Sequence, residues 1–246
     1  MRQSQLNILV DDSSYSSDAI RHGRITKKFA KQISKEAFAQ SFRHWSSHKH
    51  ITGRGEIPLL YPERRLYSTF ATAINKLTPI HLSEWPLNPS AEDTDNSRRV
   101  DYWCLHKGAE NGSAINYFIE IKKAAYCLSQ GTTEDFTENV QKKINELMLQ
   151  VSEIKAISPK WHGDGSVFLG LLVIHGYHAK SKKHIYDETT VRENIVRAID
   201  GRLGAQVILS TWKLPDSFDI EEHNGLRDKC VRFISLASIV ITKKSG

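Results

Sequence analysis

The chain has 246 residues, a mass of 28.0 kDa, 39% hydrophobic and 25% charged residues, so it is long enough for a real core and is neither fibrous nor compositionally disordered. Lys+Arg 34 against Asp+Glu 28 gives a net charge of +6, a balance that suits a polyanionic partner such as nucleic acid. The three cysteines, Cys104, Cys127 and Cys230, lack CxxC spacing, which argues against a disulfide framework or a structural zinc and for a reducing compartment.

The N-terminal apolar run Leu6 to Val10 is short and meets Asp11-Asp12, so no signal peptide is expected. No stretch is long enough to span a bilayer; a cytoplasmic protein without membrane contact is the expectation. Residues 1 to about 20, with Ser13-Ser-Tyr-Ser-Ser17, read as a loose start. From Ile25 to Trp45 the apolar positions Ile25, Phe29, Ile33, Phe38, Phe42 and Trp45 keep helical spacing. Lys27, Lys28, Lys31 and Lys35 lie on the other side, as a solvated face or a face for phosphates. His44, His48 and His50 are expected in a polar loop. These first 60 residues form a helical extension to an α/β domain over 61–246.

Pro62 suits the first turn of a second helix, whose stripe is Leu66, Phe70, Ile74 and Leu77; Glu63 at its start favours the helix dipole. Pro79 to Trp85 reads as an edge strand. Two strands follow, Arg98-Arg-Val-Asp-Tyr-Trp-Cys-Leu-His106 and Asn116-Tyr-Phe-Ile-Glu-Ile-Lys-Lys-Ala124, separated by a polar segment with two glycines, which is a hairpin pattern. Side chains alternate along a strand, so Glu120 and Lys122 share a face, and pairing brings Asp101 to the same end. Two carboxylates suit a hard divalent cation such as Mg²⁺, and an ammonium beside them can orient a water or stabilise charge on a phosphate. The same acidic-x-Lys spacing recurs in Glu153-Ile154-Lys155, but inside a helical pattern, where positions i and i+2 do not face each other.

Thr132 or Thr133 would cap a long helix with the stripe Phe136, Val140, Ile144, Leu147, Met148, Val151 and Ile154; Gln141 and Lys142 lie on its first turns. Val167 to Ile174 is almost continuously apolar, as suits a strand buried on both faces, with His175 and His178 at its rim. Lys180, Lys182 and Lys183 make a basic loop suited to backbone phosphates. Thr190 would cap a helix closed by Gly201, and strands at Ala205 to Trp212 and Cys230 to Thr242 complete a mixed α/β sheet flanked by helices. No GxxxxGK[ST] loop, GxGxxG turn or GxSxG elbow is present, so the Asp-Glu-Lys set is the arrangement that implies a reaction.

Asp101, then Glu120-Ile121-Lys122, with a helix before and after, resembles the PD-(D/E)xK nuclease superfamily, over roughly Tyr61 to Trp212. Val100 stands where the family often has proline. The resemblance implies a restriction-endonuclease-like core and a Mg²⁺- or Mn²⁺-dependent endonuclease acting on nucleic acid, with DNA the expected substrate. It implies Asp101, Glu120 and the Ile121 carbonyl as metal ligands, Lys122 at the attacking water, and a further carboxylate from the preceding helix, the place of Glu63. Glu84 is the rival for that place. Arg98, Arg99 and Lys123 flank the site and are expected, with the basic loop, to touch the substrate. Members of the superfamily work in restriction, repair, recombination and phage defence; a defence effector, selective through loops, a homodimer or a regulatory protein partner, is the expected role. The alternative is a nuclease-like fold kept as a catalytically silent binding or interaction module.

Overall fold

The computed structural model describes residues 6–20, 22–86, 99–107, 114–128, 133–157, 166–179, 187–199, 205–215, 218 and 229–241. It is a seven-stranded mixed sheet between two helical layers. The strands are β1 (Ile8–Asp11), β2 (His81–Pro86), β3 (Arg99–Lys107), β4 (Ala114–Cys127), β5 (Ser166–Ala179), β6 (Ala205–Lys213) and β7 (Lys229–Ile241). The helices are α1 (Gly23–Thr52), α2 (Glu63–Leu77), α3 (Thr133–Ile157) and α4 (Glu188–Ile199). Sheet order is β1-β6-β7-β5-β4-β3-β2, with β4 and β5 parallel and the other pairs antiparallel. The apolar run that suggested a doubly buried strand is therefore β5, the central one, as its composition requires.

Each face of the sheet has its own core. Odd-numbered residues of β4 and β5, including Tyr117, Ile119, Ile121, Leu169 and Leu171, pack with α1 and α2. Phe118, Phe168, Leu172 and Ile174 pack on the opposite face with α3 and α4. The stripe Val140, Ile144, Leu147, Met148, Val151 and Ile154 of α3 is buried there, at the helical spacing that foretold it.

The N-terminal region departs from expectation. Ile8–Asp11 is an edge strand in register with Trp212 to Leu209 of β6, not a loose start. Phe29 of α1 is fully buried and stacks on Tyr117 of β4 with ring centroids 4.1 Å apart. Phe29, Ile33, Phe38, Trp45, Ile57 and Leu59 of this region thus belong to the same buried cluster as Tyr117, Ile119 and Ile121 of β4. Helix α1 also runs on to Thr52, so His44, His48 and His50 are helical, because the Gly53 cap with φ 77 is the first residue free to leave the helix. At α4 the cap is Asp187, whose carboxylate accepts the backbone N–H of Thr189 and Thr190 at 3.1 and 3.3 Å; the expected Thr190 lies inside the helix.

Candidate active site

The β3–β4 ladder runs from Lys107 opposite Ala114 to Tyr102 opposite Ile119 and stops there. One residue on, the Asp101 side chain takes the place of the ladder: its Oδ2 accepts the Ile121 backbone N–H at 2.7 Å. Its Oδ1 accepts the Tyr67 hydroxyl of α2 at 2.6 Å. Tyr67 is itself fixed, because the Tyr102 hydroxyl donates to its backbone carbonyl at 2.5 Å. The carboxylate is therefore oriented from two sides before any ligand arrives.

Glu120 and Lys122 lie on β4 beyond this point. The Lys122 ammonium donates to Glu120 Oε1 at 3.3 Å and to Glu63 Oε1, at the first turn of α2, at 2.9 Å. Asp101, Glu120 and Lys122 are 8%, 5% and 7% exposed, so these are charged groups taken out of water. Two carboxylates pair with the ammonium and the charge of Asp101 also acts on it, which leaves an excess of two negative charges when all are ionised. Burial holds Asp101 above the usual carboxylate range, against the Tyr67 and Ile121 hydrogen bonds and the charge of Lys122. Burial, then the Asp101 charge, pushes Glu120 up to about 7 despite Lys122. Burial works against the Lys122 charge, but Glu63, Glu120 and Asp101 outweigh it and keep the ammonium above its ordinary value.

Such a cluster is costly without a cation and suits a hard one: oxygen donors, excess negative charge and an open side. Asp101, Glu120 and the Ile121 carbonyl fit Mg²⁺ or Mn²⁺ in chemistry. Among the described residues no group of three or more His, Cys, Asp or Glu side chains is arranged around one point, so the donors at hand are two carboxylates and backbone oxygen, with water completing the shell as Mg²⁺ prefers.

The open side is a cleft of about 590 Å³ lined by Glu63, Arg99, Glu120 and Lys122 and, from α3, by Glu146, Leu149, Gln150, Glu153 and Ile154. Gln150 Oε1 is buried without a hydrogen-bond partner, and Leu149 is 61% exposed. The cleft-lining residues of α3 begin about one turn after Lys142, and Gln141, half-buried, donates to the Asn145 side-chain oxygen at 3.3 Å. Glu153, whose acidic-x-Lys spacing falls inside the helix, lines the cleft.

The expected residues divide clearly. Asp101, Glu120, Ile121, Lys122 and Glu63 are brought together, and Arg99 lies on the cleft wall. Lys123 points to the other face of β4, where its ammonium donates to the Leu60 carbonyl and, at 2.7 Å, to that of Tyr61; burial lowers it to about 8. Its ammonium is thus engaged by two backbone carbonyls on the face of β4 away from Lys122. Arg98, Lys180, Lys182 and Lys183 lie outside the described residues. Glu84 is exposed on β2 with φ 52, rare for a residue other than glycine, and its charge adds to the upward pressure on Asp101. Tyr67 was missed, although it stands one helical turn after Glu63 and so on the same face of α2.

Comparison with protein-family models, curated proteins and solved structures finds no match to this chain. Among the described residues no helix is long and apolar enough to cross a membrane.

Proposed function

We propose that this chain is a metal-dependent nuclease of the PD-(D/E)xK type, hydrolysing phosphodiester bonds in nucleic acid, with DNA the favoured substrate. The observation that carries the reading is the net-negative set of buried Asp101 and Glu120 and half-buried Glu63 beside the Lys122 ammonium, with Glu63, Glu120 and Lys122 lining an open cleft. A structural role does not require two carboxylates and an ammonium to be buried where a strand pair separates.

In this reading Asp101, Glu120 and the Ile121 carbonyl hold Mg²⁺ or Mn²⁺. Such a cation, when bound, would supply Lewis-acid chemistry at the scissile phosphate. Lys122, kept charged by its carboxylate neighbours, positions the attacking water and stabilises the charge that builds on the phosphate. Tyr67 and the Ile121 N–H orient Asp101, which leaves its remaining lone pairs for the ligand. Arg99 meets the backbone at the cleft wall. Selectivity then comes from a homodimer, from the basic loop or from a regulatory protein, and a restriction or phage-defence effector in the cytoplasm is the role that fits.

The acidic wall made by Glu146 and Glu153 favours a second reading, a nuclease-like module that binds without cutting, because it repels phosphate unless cations screen it. Incubation of circular DNA with Mg²⁺, Mn²⁺ or EDTA separates the two. The nuclease reading expects metal-dependent nicking that Asp101→Ala abolishes; a wild type that binds Mg²⁺ and DNA without nicking under any condition supports the silent module.

A further inference from the structure

Lys123 adjoins Lys122 in sequence but reaches the opposite side of β4, where it meets the segment that leads into α2. Ile57, Leu59 and Leu60 of that segment are buried in the core, and Pro58–Leu60 form a single tight turn closed by the Leu60 N–H to Ile57 carbonyl and the Tyr61 N–H to Pro58 carbonyl, each 3.0 Å. The Leu60 and Tyr61 carbonyls both accept from the Lys123 ammonium. Pro62 follows, its φ fixed by the ring, and the next residue is Glu63, whose carboxylate reaches Lys122 at 2.9 Å. Between the Lys123 ammonium and the Glu63 Cα there is thus one stiff residue pair and no free turn. His175, beside Lys123 on the same face, is held well below its usual value by burial and by the Lys123 charge, so it stays neutral and offers no competing ion pair.

We propose that Lys123 is a positioning residue of the candidate site: by holding the Leu60 and Tyr61 carbonyls it fixes the start of α2 and so sets Glu63 against Lys122. The proposal rests on the nuclease reading for its meaning in catalysis, though not for its geometry. Two adjacent lysines then have opposite tasks, one facing the substrate and one clamping the element that carries the counter-carboxylate. A neutral residue of similar length at 123 takes the ammonium donor away from the part-buried Leu60 and Tyr61 carbonyls, and the segment 58–62 relaxes. A shift of about 1 Å in a group near the reaction can lower the rate roughly 100-fold.

The test is a double-mutant cycle over Lys123→Met and Glu63→Gln, read in cleavage rate. The proposal predicts that Lys123→Met lowers kcat with KM little changed, and that adding it to Glu63→Gln produces no further loss. A loss that multiplies with that of Glu63→Gln means that Lys123 acts elsewhere, and overturns the proposal. Should Lys123→Met not fold, Lys123→Arg, which keeps the charge but lengthens the arm, carries the same cycle. Denaturant midpoints of the same four proteins give a second readout: coupling between positions 63 and 123 is expected there too. If the wild type does not cleave, the nuclease reading fails while this coupling still decides the positioning claim; additive midpoints overturn it.

Discussion

Glu120 makes the site sensitive to pH, and the direction follows from its environment. Its carboxyl ordinarily titrates near 4.5 and is pushed to about 7 in the fold. The folded protein therefore holds this proton more tightly than the unfolded chain does. Stability from this group is complete below 4.5 and is lost as the pH rises through about 7. Glu120→Gln should flatten that part of the stability profile and raise the midpoint of the cation-free protein at pH 8; a lowered midpoint at pH 8 would show that Glu120 is not destabilised by burial. A cation binds the ionised form, so Mg²⁺ affinity should rise with pH up to about 7 and then level off, with proton release visible in calorimetry below that point. Tyr67→Phe removes one of the two hydrogen bonds to Asp101 and should weaken Mg²⁺ binding by about 10-fold, with the fold intact by circular dichroism. Unchanged affinity would mean that the Tyr67 hydroxyl has no part in orienting the carboxylate.

Elements bring these residues together by simple means. The β3–β4 hairpin was legible because its strands carry aromatic and β-branched residues on both sides of a polar, glycine-bearing segment. The face shared by Glu120 and Lys122 followed from alternation alone. The end of the ladder at Tyr102, and the Asp101 carboxylate that replaces it, were not legible, because they depend on α2 supplying Tyr67 from a distance of 34 residues. The partners of Lys123 were not legible for a related reason: they are carbonyls of the segment before α2, about 60 residues away. The acidic wall depends on how closely α3 approaches the sheet. Gly170 of β5 lies opposite Glu120, and a methyl group there would fall 2.8 Å from a methyl of Leu147 and 2.9 Å from its Cγ. Gly170→Ala should push α3 outward, destabilise the protein by about 1–3 kcal/mol in a denaturant titration and widen the cleft. An unchanged midpoint would show that α3 is not seated by this contact.

At the scale of the molecule, α/β class, mixed sheet and the order of elements from α1 onward were available from hydrophobic periodicity, which local sequence carries. The place of the N-terminal region was not, because β1 finds its partner about 200 residues away, a pairing that no local pattern encodes. The consequence is testable: Phe29→Ala empties a site between α1 and β4 and should lower stability by about 3–5 kcal/mol, and residues 61–246 alone should not fold cooperatively. A two-state unfolding transition for that fragment would show that the sheet folds without α1.

The central claim is that Lys122 serves chemistry beside a cation held by Asp101 and Glu120. The most direct measurement is single-turnover cleavage of DNA with saturating Mg²⁺ by wild type and Lys122→Ala, with Mg²⁺ affinity of both measured in parallel. The account predicts that the variant cleaves about 10²–10⁴-fold more slowly while still binding Mg²⁺ and DNA. Cleavage by Lys122→Ala at the wild-type rate would contradict it.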